Sequence, residues 1–566
     1  MQNSEYIRLF KLTATLMELH EANPFKIKAY QGAAYQIEQL TSPLSDMSTQ
    51  AIESTNGLGK SIAAKIQEIN TTGNFSELSE LLEITPRGIL EILNIKGIGA
   101  KKIRTLWKEL NIISREELLE ACYENKVCKL KGFGEKTQQS IIQELIFSQT
   151  QKEKFLYAEV EYLAHTLEAD LKEYDTQCLV SVSGEYRRKL EVIELLQFIV
   201  GIDDAGKFMN FLDHHSLLKK NPKLSGPFVW RGSDNDLGCK IEIKLYPKTQ
   251  FYKQLLIHSA AKEHLNTSLD DGKTLLSKLN VAEEIVSEQD FYANIGLSFI
   301  EPWHREGIFE INLAKENKLP ATVKYEDLKG ILHNHTTYSD GTHTLREMAE
   351  HCKALGFEYL GICDHSKSGN FYNSGMYENK VKEQQNEIDQ LNSEMSPFKI
   401  FKGIESDILN DGSLDYEDDV LRSFDFIVAS IHSNLKMNEE KATSRLIKAI
   451  EDPFTTILGH LSGRLLLKRD AYPVDYTKII DACAANNVVI EINADPRRLD
   501  MDWRWVIKGI EKGVTFSINP DAHRKEAYTN MKYGVYMAEK AGLPMELTLN
   551  AWPLDRVSAF FKSKKG

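Results

Sequence analysis

The chain has 566 residues, 42% hydrophobic and 27% charged, with a formal charge of −13. That length is too great for one core and predicts three or four domains, and the acidic balance argues against wholesale coating of nucleic acid while leaving room for a local basic footprint. No run of eighteen apolar residues occurs, the start MQNSEYIRLFKL lacks a signal-peptide core, and the seven cysteines have no CxxC spacing. These features predict a cytoplasmic protein without membrane contact or a disulfide framework.

Residues 1–150 read as short helices broken by glycine turns, divided into 1–75 and 76–150. Three turns share one pattern: NGLGKSIAAKIQEI with Gly57 and Gly59, IKGIGAKKIRTLWKEL with Gly97 and Gly99, and LKGFGEKTQQSIIQEL with Gly132 and Gly134. Each sets Gly-x-Gly between an apolar residue and an amphipathic helix. Glycine there allows positive φ and lets the N–H groups of a helix start approach a phosphate. Lys60, Lys65, Lys101, Lys102 and Lys136 follow the turns. The pattern resembles the helix-hairpin-helix DNA-binding motif; a purely structural helical array is the other reading of such a repeat.

Residues 151–250 change character, with β-type runs in QCLVSVSGEYRR, LLQFIVG and CKIEIKLYP that predict a small α+β domain. Mixed short helices follow over 251–312. The polar stretch 313–328, with Pro320 and no periodicity, reads as a linker. From 329 to 566 strand and helix alternate, the mark of a parallel α/β fold.

Seven strand-like runs in this last part each end in a polar cluster: LKGILHNH, FEYLGICDH, FKGIESD, FDFIVASIH, TTILGH, VVIEINADP and VTFSINPDAH. They supply His333, His335, Asp340, His365, Glu405, His432, His460, Asp521 and His523. Side chains after strand C-termini converge on one mouth of an α/β barrel. Nitrogen and carboxylate ligands together suit zinc, manganese or iron, not calcium or magnesium alone.

The motifs LHNHTTYSDGTHT, CDHS, GIESDIL, ASIHS, GHLSGRLLL, EINADPRRLD and INPDAH resemble the polymerase and histidinol phosphatase (PHP) family over roughly 329–550. The resemblance implies a distorted seven-stranded barrel binding two to three divalent metals, manganese foremost. One metal would take His333, His335, Glu405 and Asp521; a second Glu405, His432 and His460; a third Asp340, His365 and His523. Glu405, His333, His335 and Asp521 would carry the chemistry, in which clustered cations activate a bridging water. Arg464, Arg497, Arg498 and Arg524 lie in post-strand loops, where each could grip phosphate or form a structural salt bridge.

The whole chain resembles bacterial family X DNA polymerases. NPFKIKAYQGAAYQIEQL is similar to the first helical segment of that family, with Lys26 and Tyr30 at positions that contact a DNA 5′ end. Lys65 falls where some members carry a Schiff-base lysine; a phosphate contact or a surface position is the other reading. The polymerase pattern Gly-Ser-x-Arg-Arg-Gly-x-Glu-Thr-x-x-Asp-x-Asp is here GEYRRKLEVIELLQFIV. Gly184, Arg187, Arg188 and Glu191 remain, Glu185 replaces serine, Leu195 and Gln197 replace the metal-binding aspartates, and Glu242 stands for the third carboxylate. Ala260 and Ala261 occupy the nucleotide-binding turn.

The expected fold is therefore multidomain: an all-α helix-hairpin-helix region, a degenerate α+β nucleotidyltransferase-like palm (151–250) and thumb (251–312), and a distorted (β/α)7 barrel. The expected function is DNA-binding, metal-dependent phosphoester hydrolysis at gapped, nicked or 3′-ended DNA, a 3′–5′ exonuclease or 3′-end processing activity in repair with a silent polymerase site. The alternatives are a gap-filling family X polymerase with an accessory nuclease and a small-molecule phosphatase of the histidinol phosphatase kind.

Overall fold

The computed structural model describes residues 3–38, 40, 43–93, 95, 97–150, 153–368 and 375–565. Lys96 of the second hairpin lies outside the described residues. The chain forms two compact units, Met1–Lys152 and Glu153–Gly566.

The first unit is helical. Gly57, Gly97 and Gly132 adopt φ of +83°, +90° and +86°, the left-handed region that glycine enters without a Cβ penalty. At Gly57 a Cβ would also lie 2.7 Å from Gln36 Cγ. Gly59 and Gly99 then cap helices Lys60–Thr72 and Ala100–Leu110 with no side-chain cap, leaving the first-turn N–H groups to an outside acceptor. Helix Ala100–Leu110 buries Ala100, Ile103 and Leu106 and keeps its basic residues off that stripe.

The second unit begins with a five-stranded sheet: β1 (Leu179–Ser183), β2 (Leu196–Gly201), β3 (Leu218–Lys220), β4 (Val229–Asp234) and β5 (Lys240–Tyr246), in the order β1-β2-β5-β4-β3. Only β2 and β5 run parallel, with Gln197 opposite Glu242. A helical layer follows, cored by Leu256, Leu275, Leu279, Phe291 and Ile300.

Seven parallel strands complete the unit: β6 (Gly330–Ile331), β7 (Tyr359–Ile362), β8 (Lys399–Asp407), β9 (Phe426–Ser430), β10 (Ile457–Leu458), β11 (Val489–Asn493) and β12 (Phe516–Asn519). Each pairs with its neighbour in chain order. A bridge between Asn334 and Ala522 draws the two edges together, so the barrel is nearly closed. Its strands are buried on both faces, as parallel strands covered by helices are. In the lumen Gly361 and Gly403 leave room for the Phe426 ring, which a Cβ at either would meet at 2.5 or 2.6 Å. Helix Leu554–Ser563 plugs the N-terminal end of the barrel: Phe561 stacks on Phe426 at 4.8 Å and meets Phe401 edge-on at 5.0 Å.

The stretch 313–328 differs from the expected linker. Helix Glu310–Lys315 runs into it, Thr322 bridges to Pro544, and buried Val323 donates its N–H to Leu543 O at 2.9 Å. Its order comes from backbone pairing with a distant segment, which periodicity does not reveal. Charged residues reinforce the same seam. The buried Lys540 ammonium donates to Arg188 O at 2.9 Å, Trp303 O at 3.2 Å and the Glu306 carboxylate. Lys189 and Lys324 both pair with Glu539, and Arg504 reaches Glu191 at 3.2 Å.

Candidate metal centre

The nine residues expected as ligands all follow barrel strands and meet at the mouth. Glu405, at the end of β8, is the hub. Its Oε1 lies 3.0 Å from His460 Nε2, 3.1 Å from His432 Nε2 and 3.5 Å from His333 Nε2. Its Oε2 lies 2.9 Å from His365 Nδ1 and 3.6 Å from His335 Nε2. Asp521 Oδ1 is 3.0 Å from His335 Nε2 and 3.7 Å from His333 Nε2. On the outer side Asp340 Oδ2 is 3.3 Å from His523 Nε2 and 3.5 Å from His365 Nε2. Asp521 reaches inward from a left-handed backbone, φ +51°, a conformation that aspartate tolerates better than most residues.

Three groups have donor atoms within 4.8 Å of one another: His335 with Asp340, His365 and His523; His333 with His335 and Asp521; and His365 with Glu405 and His432. The sharing differs from the expected partition, because His335 also serves the outer group and His365 also faces Glu405.

The donor set fits divalent metal. His333 Nε2 and His335 Nδ1 are buried without a hydrogen-bond partner, and His365 Nδ1 and Glu405 Oε2 face each other at 2.9 Å without the alignment of a hydrogen bond, a cost that a protein ordinarily avoids. Burial opposes charge on Glu405, yet the His432, His333 and His365 charges hold its carboxyl well below the usual range. Burial also opposes protonation of His432, but the Glu405 charge and the hydrogen bonds that the ring donates to Asp407 and Glu405 raise it to about 9. His335 is lowered to about 4 by burial and by the charges of His523 and His365. Protons thus hold positive charge against anionic carboxylates where cations would take it over.

A supporting layer was not anticipated. Glu491, fully buried in β11, accepts from His333 Nδ1 at 2.7 Å, and Asp407 accepts from His432 Nδ1 at 2.6 Å. Asn493 Nδ2 reaches Asp521 Oδ2 at 3.2 Å. Asp364 accepts from Thr336 N at 2.8 Å and Gln384 Nε2 at 2.6 Å, tying the first loop to the second. The available signal was a carboxylate or amide inside or beside an apolar run: VVIEIN, GIESD and CDH.

The four arginines fare differently. Arg464 takes the structural of its two expected roles: its guanidinium donates to Asp502 Oδ2 at 2.7 Å, Arg498 O at 2.9 Å and Leu499 O. Arg497 is held by Asp495, with Nε 2.9 Å from Oδ1. Arg498 Nε stands 3.7 Å from Asp521 Oδ2, and Arg524 is exposed beside His523.

In the first unit Lys60, Lys101 and Lys136 are exposed and Lys102 lies over the Phe133 ring at 5.4 Å. Tyr30 is not free to meet DNA: its ring is buried against Phe10 and Phe75 and its hydroxyl donates to Glu77. The same carboxylate pairs with Lys26 at 3.1 Å and Lys65 at 3.2 Å.

The row expected to be a polymerase remnant is chemically occupied. Gln197 Nε2 donates to Glu242 Oε1 at 2.8 Å, Arg231 Nε donates to Oε2 at 2.6 Å, and Lys244 Nζ lies 3.0 Å from Oε1. Burial would raise the Glu242 carboxyl, but these donors hold it below its usual range. Leu195 donates its N–H to Glu185. Arg187 makes a two-bond pair with Glu288, Arg188 pairs with Glu306 at 3.1 Å, and Ala261 donates its N–H to Arg305 O at 2.9 Å.

Residues 1–75 match a helix-hairpin-helix domain, 89–145 a SAM-like helix-hairpin-helix tandem and 332–495 a PHP domain. The chain is 34% identical over 572 residues to the DNA polymerase/3′–5′ exonuclease PolX of Bacillus subtilis strain 168, covering 99% of this chain and 100% of the relative. The chain belongs to the PolX family. It joins helix-hairpin-helix domains to a C-terminal PHP barrel, the module of metal-dependent phosphoesterases. The barrel part is also 25% identical over 244 residues to a probable phosphatase of Thermoanaerobacter sp. strain X514, covering 41% of this chain and 94% of the relative. A probable phosphatase of Shewanella pealeana matches at 27% over 174 residues, 29% of this chain and 67% of the relative. Among the described residues no helix is long and apolar enough to cross a membrane.

Proposed function

We propose that the chain is a DNA-binding, metal-dependent phosphoesterase that trims DNA 3′ ends, and that its nucleotidyl-transfer site is silent. The observation that carries the reading is the barrel mouth: eight nitrogen and carboxylate ligands gather in three overlapping groups, His460 joins them through Glu405, and His333 Nε2, His335 Nδ1, His365 Nδ1 and Glu405 Oε2 are buried without a hydrogen bond. In this reading residues 1–75 and 76–150 hold DNA through their hairpins, 151–312 act as a scaffold and 329–566 hydrolyse. The similarity to the DNA polymerase/3′–5′ exonuclease of Bacillus subtilis supports a 3′–5′ exonuclease on this chain.

His333, His335, Glu405 and Asp521 would hold one cation, Glu405 with His432, His365 and His460 a second, and Asp340, His365 and His523 a third. Bound there, manganese, zinc or iron would lower the pKa of a water and neutralise charge growing on the phosphoryl group. Glu405 orients the inner imidazoles, Asp407 and Glu491 fix which ring nitrogen faces inward, and Arg498 and Arg524 offer cationic donors at the rim.

Silence of the other site is supported by Glu242, the remaining carboxylate, being neutralised by Arg231 and Lys244. Two-metal transfer needs several anionic ligands, and leucine and glutamine provide none.

A 3′-labelled oligonucleotide incubated with the full chain and manganese should shorten from its labelled end, and a gapped duplex with deoxynucleotides should not be extended. An uncut substrate, or full cutting by the His333→Ala, His335→Ala double variant, refutes the first statement. Template-directed extension refutes the second. A second reading, hydrolysis of small phosphate monoesters, is favoured by the phosphatase relatives of the barrel; release of phosphate from a monoester with DNA left intact would select it.

A further inference from the structure

Among the buried groups outside the nine ligands, one carboxylate sits one layer below the metal cluster with every lone-pair direction engaged. Glu491 is in the middle of β11, at zero exposure. Its Oε2 accepts from His333 Nδ1 at 2.7 Å and Asn519 Nδ2 at 3.0 Å. Its Oε1 accepts from the His460 backbone N–H at 3.1 Å and Asn493 Nδ2 at 3.0 Å. A charge taken this far from water is costly unless it is fully hydrogen-bonded, and four donors meet that requirement.

The bonds have a direction. A carboxylate accepts only, so His333 must carry a proton on Nδ1, which leaves Nε2 as the nitrogen that a cation would take. That Nε2 is buried, has no hydrogen-bond partner, and looks at Glu405 and Asp521 from 3.5 and 3.7 Å. The same Glu491 sets the backbone of His460 and, through Asn493, the Asp521 carboxylate. Its four hydrogen bonds reach none of the outer residues Asp340, His365 and His523. Its influence therefore falls mainly on one side of the cluster.

We propose that Glu491 is a positioning residue that prepares the inner metal site of His333, His335 and Asp521, by fixing the His333 tautomer and the placement of Asp521, and acts less on the outer residues Asp340, His365 and His523, which it reaches only through the shared His335 and Asp521. The proposal rests on the reading of this mouth as a metal centre. Glutamine in place of Glu491 would bring an amide that faces four donors with only one acceptor oxygen. His333 would lose the bond that selects its tautomer.

The test is metal binding, separate from activity. Wild type, Glu491→Gln, Glu491→Asp and Asn493→Ala, each as the full chain stripped of metal, are titrated with Mn²⁺ by calorimetry, and bound metal is counted. The expected result for Glu491→Gln is a roughly 10–100-fold weakening of one class of site, with the remaining sites weakened clearly less. Glu491→Asp should recover part of the loss because it keeps an acceptor-only group. Asn493→Ala should weaken the same class by less, since it leaves the His333 bond in place. Equal weakening of all sites, or unchanged binding by a folded Glu491→Gln, overturns the proposal. If Glu491→Gln does not fold, Asn493→Ala decides: a loss concentrated in one class upholds the proposal and no loss overturns it. Wild type that takes up no manganese refutes the metal-centre reading itself, which keeps the two failures distinct.

Discussion

Two rows of side chains in the same compact unit invite comparison: the mouth of the barrel and the Gln197–Glu242–Arg231 row of the five-stranded sheet. Both gather a carboxylate on neighbouring strands of a buried sheet. At the mouth the surrounding groups are imidazoles and acids with donor atoms that lack partners. In the sheet every oxygen of Glu242 already meets a cation or an amide within 3.0 Å. The difference teaches that a site for cations is recognised by unmet donors and excess negative charge, not by the presence of a carboxylate alone. A carboxylate whose charge the protein has already balanced is a structural element.

The comparison can be broken most sharply at Glu405. Glu405→Gln should lower manganese-dependent trimming of a 3′-labelled strand by about 10³-fold or more, since it removes the shared anionic hub. Activity within tenfold of wild type would mean that the mouth is not the reacting site. The converse change, Leu195→Asp with Gln197→Asp, restores the acids of the sheet but leaves Arg231 and Lys244 in place. Primer extension on a gapped duplex should stay undetectable, and the extra charge beside Glu242 should lower stability in urea; extension would show that the two lost acids alone silenced the row.

A smaller effect is expected for Glu242→Gln. It leaves Arg231 and Lys244 without their shared anion, at a cost of about 1–3 kcal/mol in urea unfolding. If the row were instead a cation site, manganese would protect wild type and not the variant. The smallest effect concerns pH. Burial holds His304 and His258 down to about 4, and His304 Nε2 donates to Glu539 O at 2.6 Å. Their ordinary value is 6.5, so between pH 6.5 and about 4 the unfolded chain binds more protons than the folded one. Stability must then fall as pH falls through that window. Thermal unfolding across it should show a shallower slope for His304→Gln; an identical slope would remove His304 from the account.

Much of the site was legible in the sequence because each ligand lies within a few residues of the end of an apolar run. The strand supplies direction and the next residue or two supply chemistry, so LHNH, CDH and DAH announce themselves. The hairpins were legible for a similar local reason, a glycine where φ must be positive. What escaped depends on distant partners. Glu491 looks like an interruption of a strand until His333, 158 residues away, is placed against it. Asp364 reads as the neighbour of a ligand until Thr336 donates to it. Arg464 could have faced substrate or its own loop, and only the position of Asp502 decides. The stretch 313–328 looked unstructured because the order of Val323 is borrowed from Leu543.

The plug of the barrel has a topological consequence. With Phe561 stacked on Phe426 and glycines making way for that ring, the lumen is filled below the metal layer. The mouth is a blind well, not a tunnel. A polymer cannot be threaded through it, so whatever enters must leave by the same opening. Such geometry suits a terminus, or a nucleotide splayed from its neighbours, and disfavours the interior of an intact duplex.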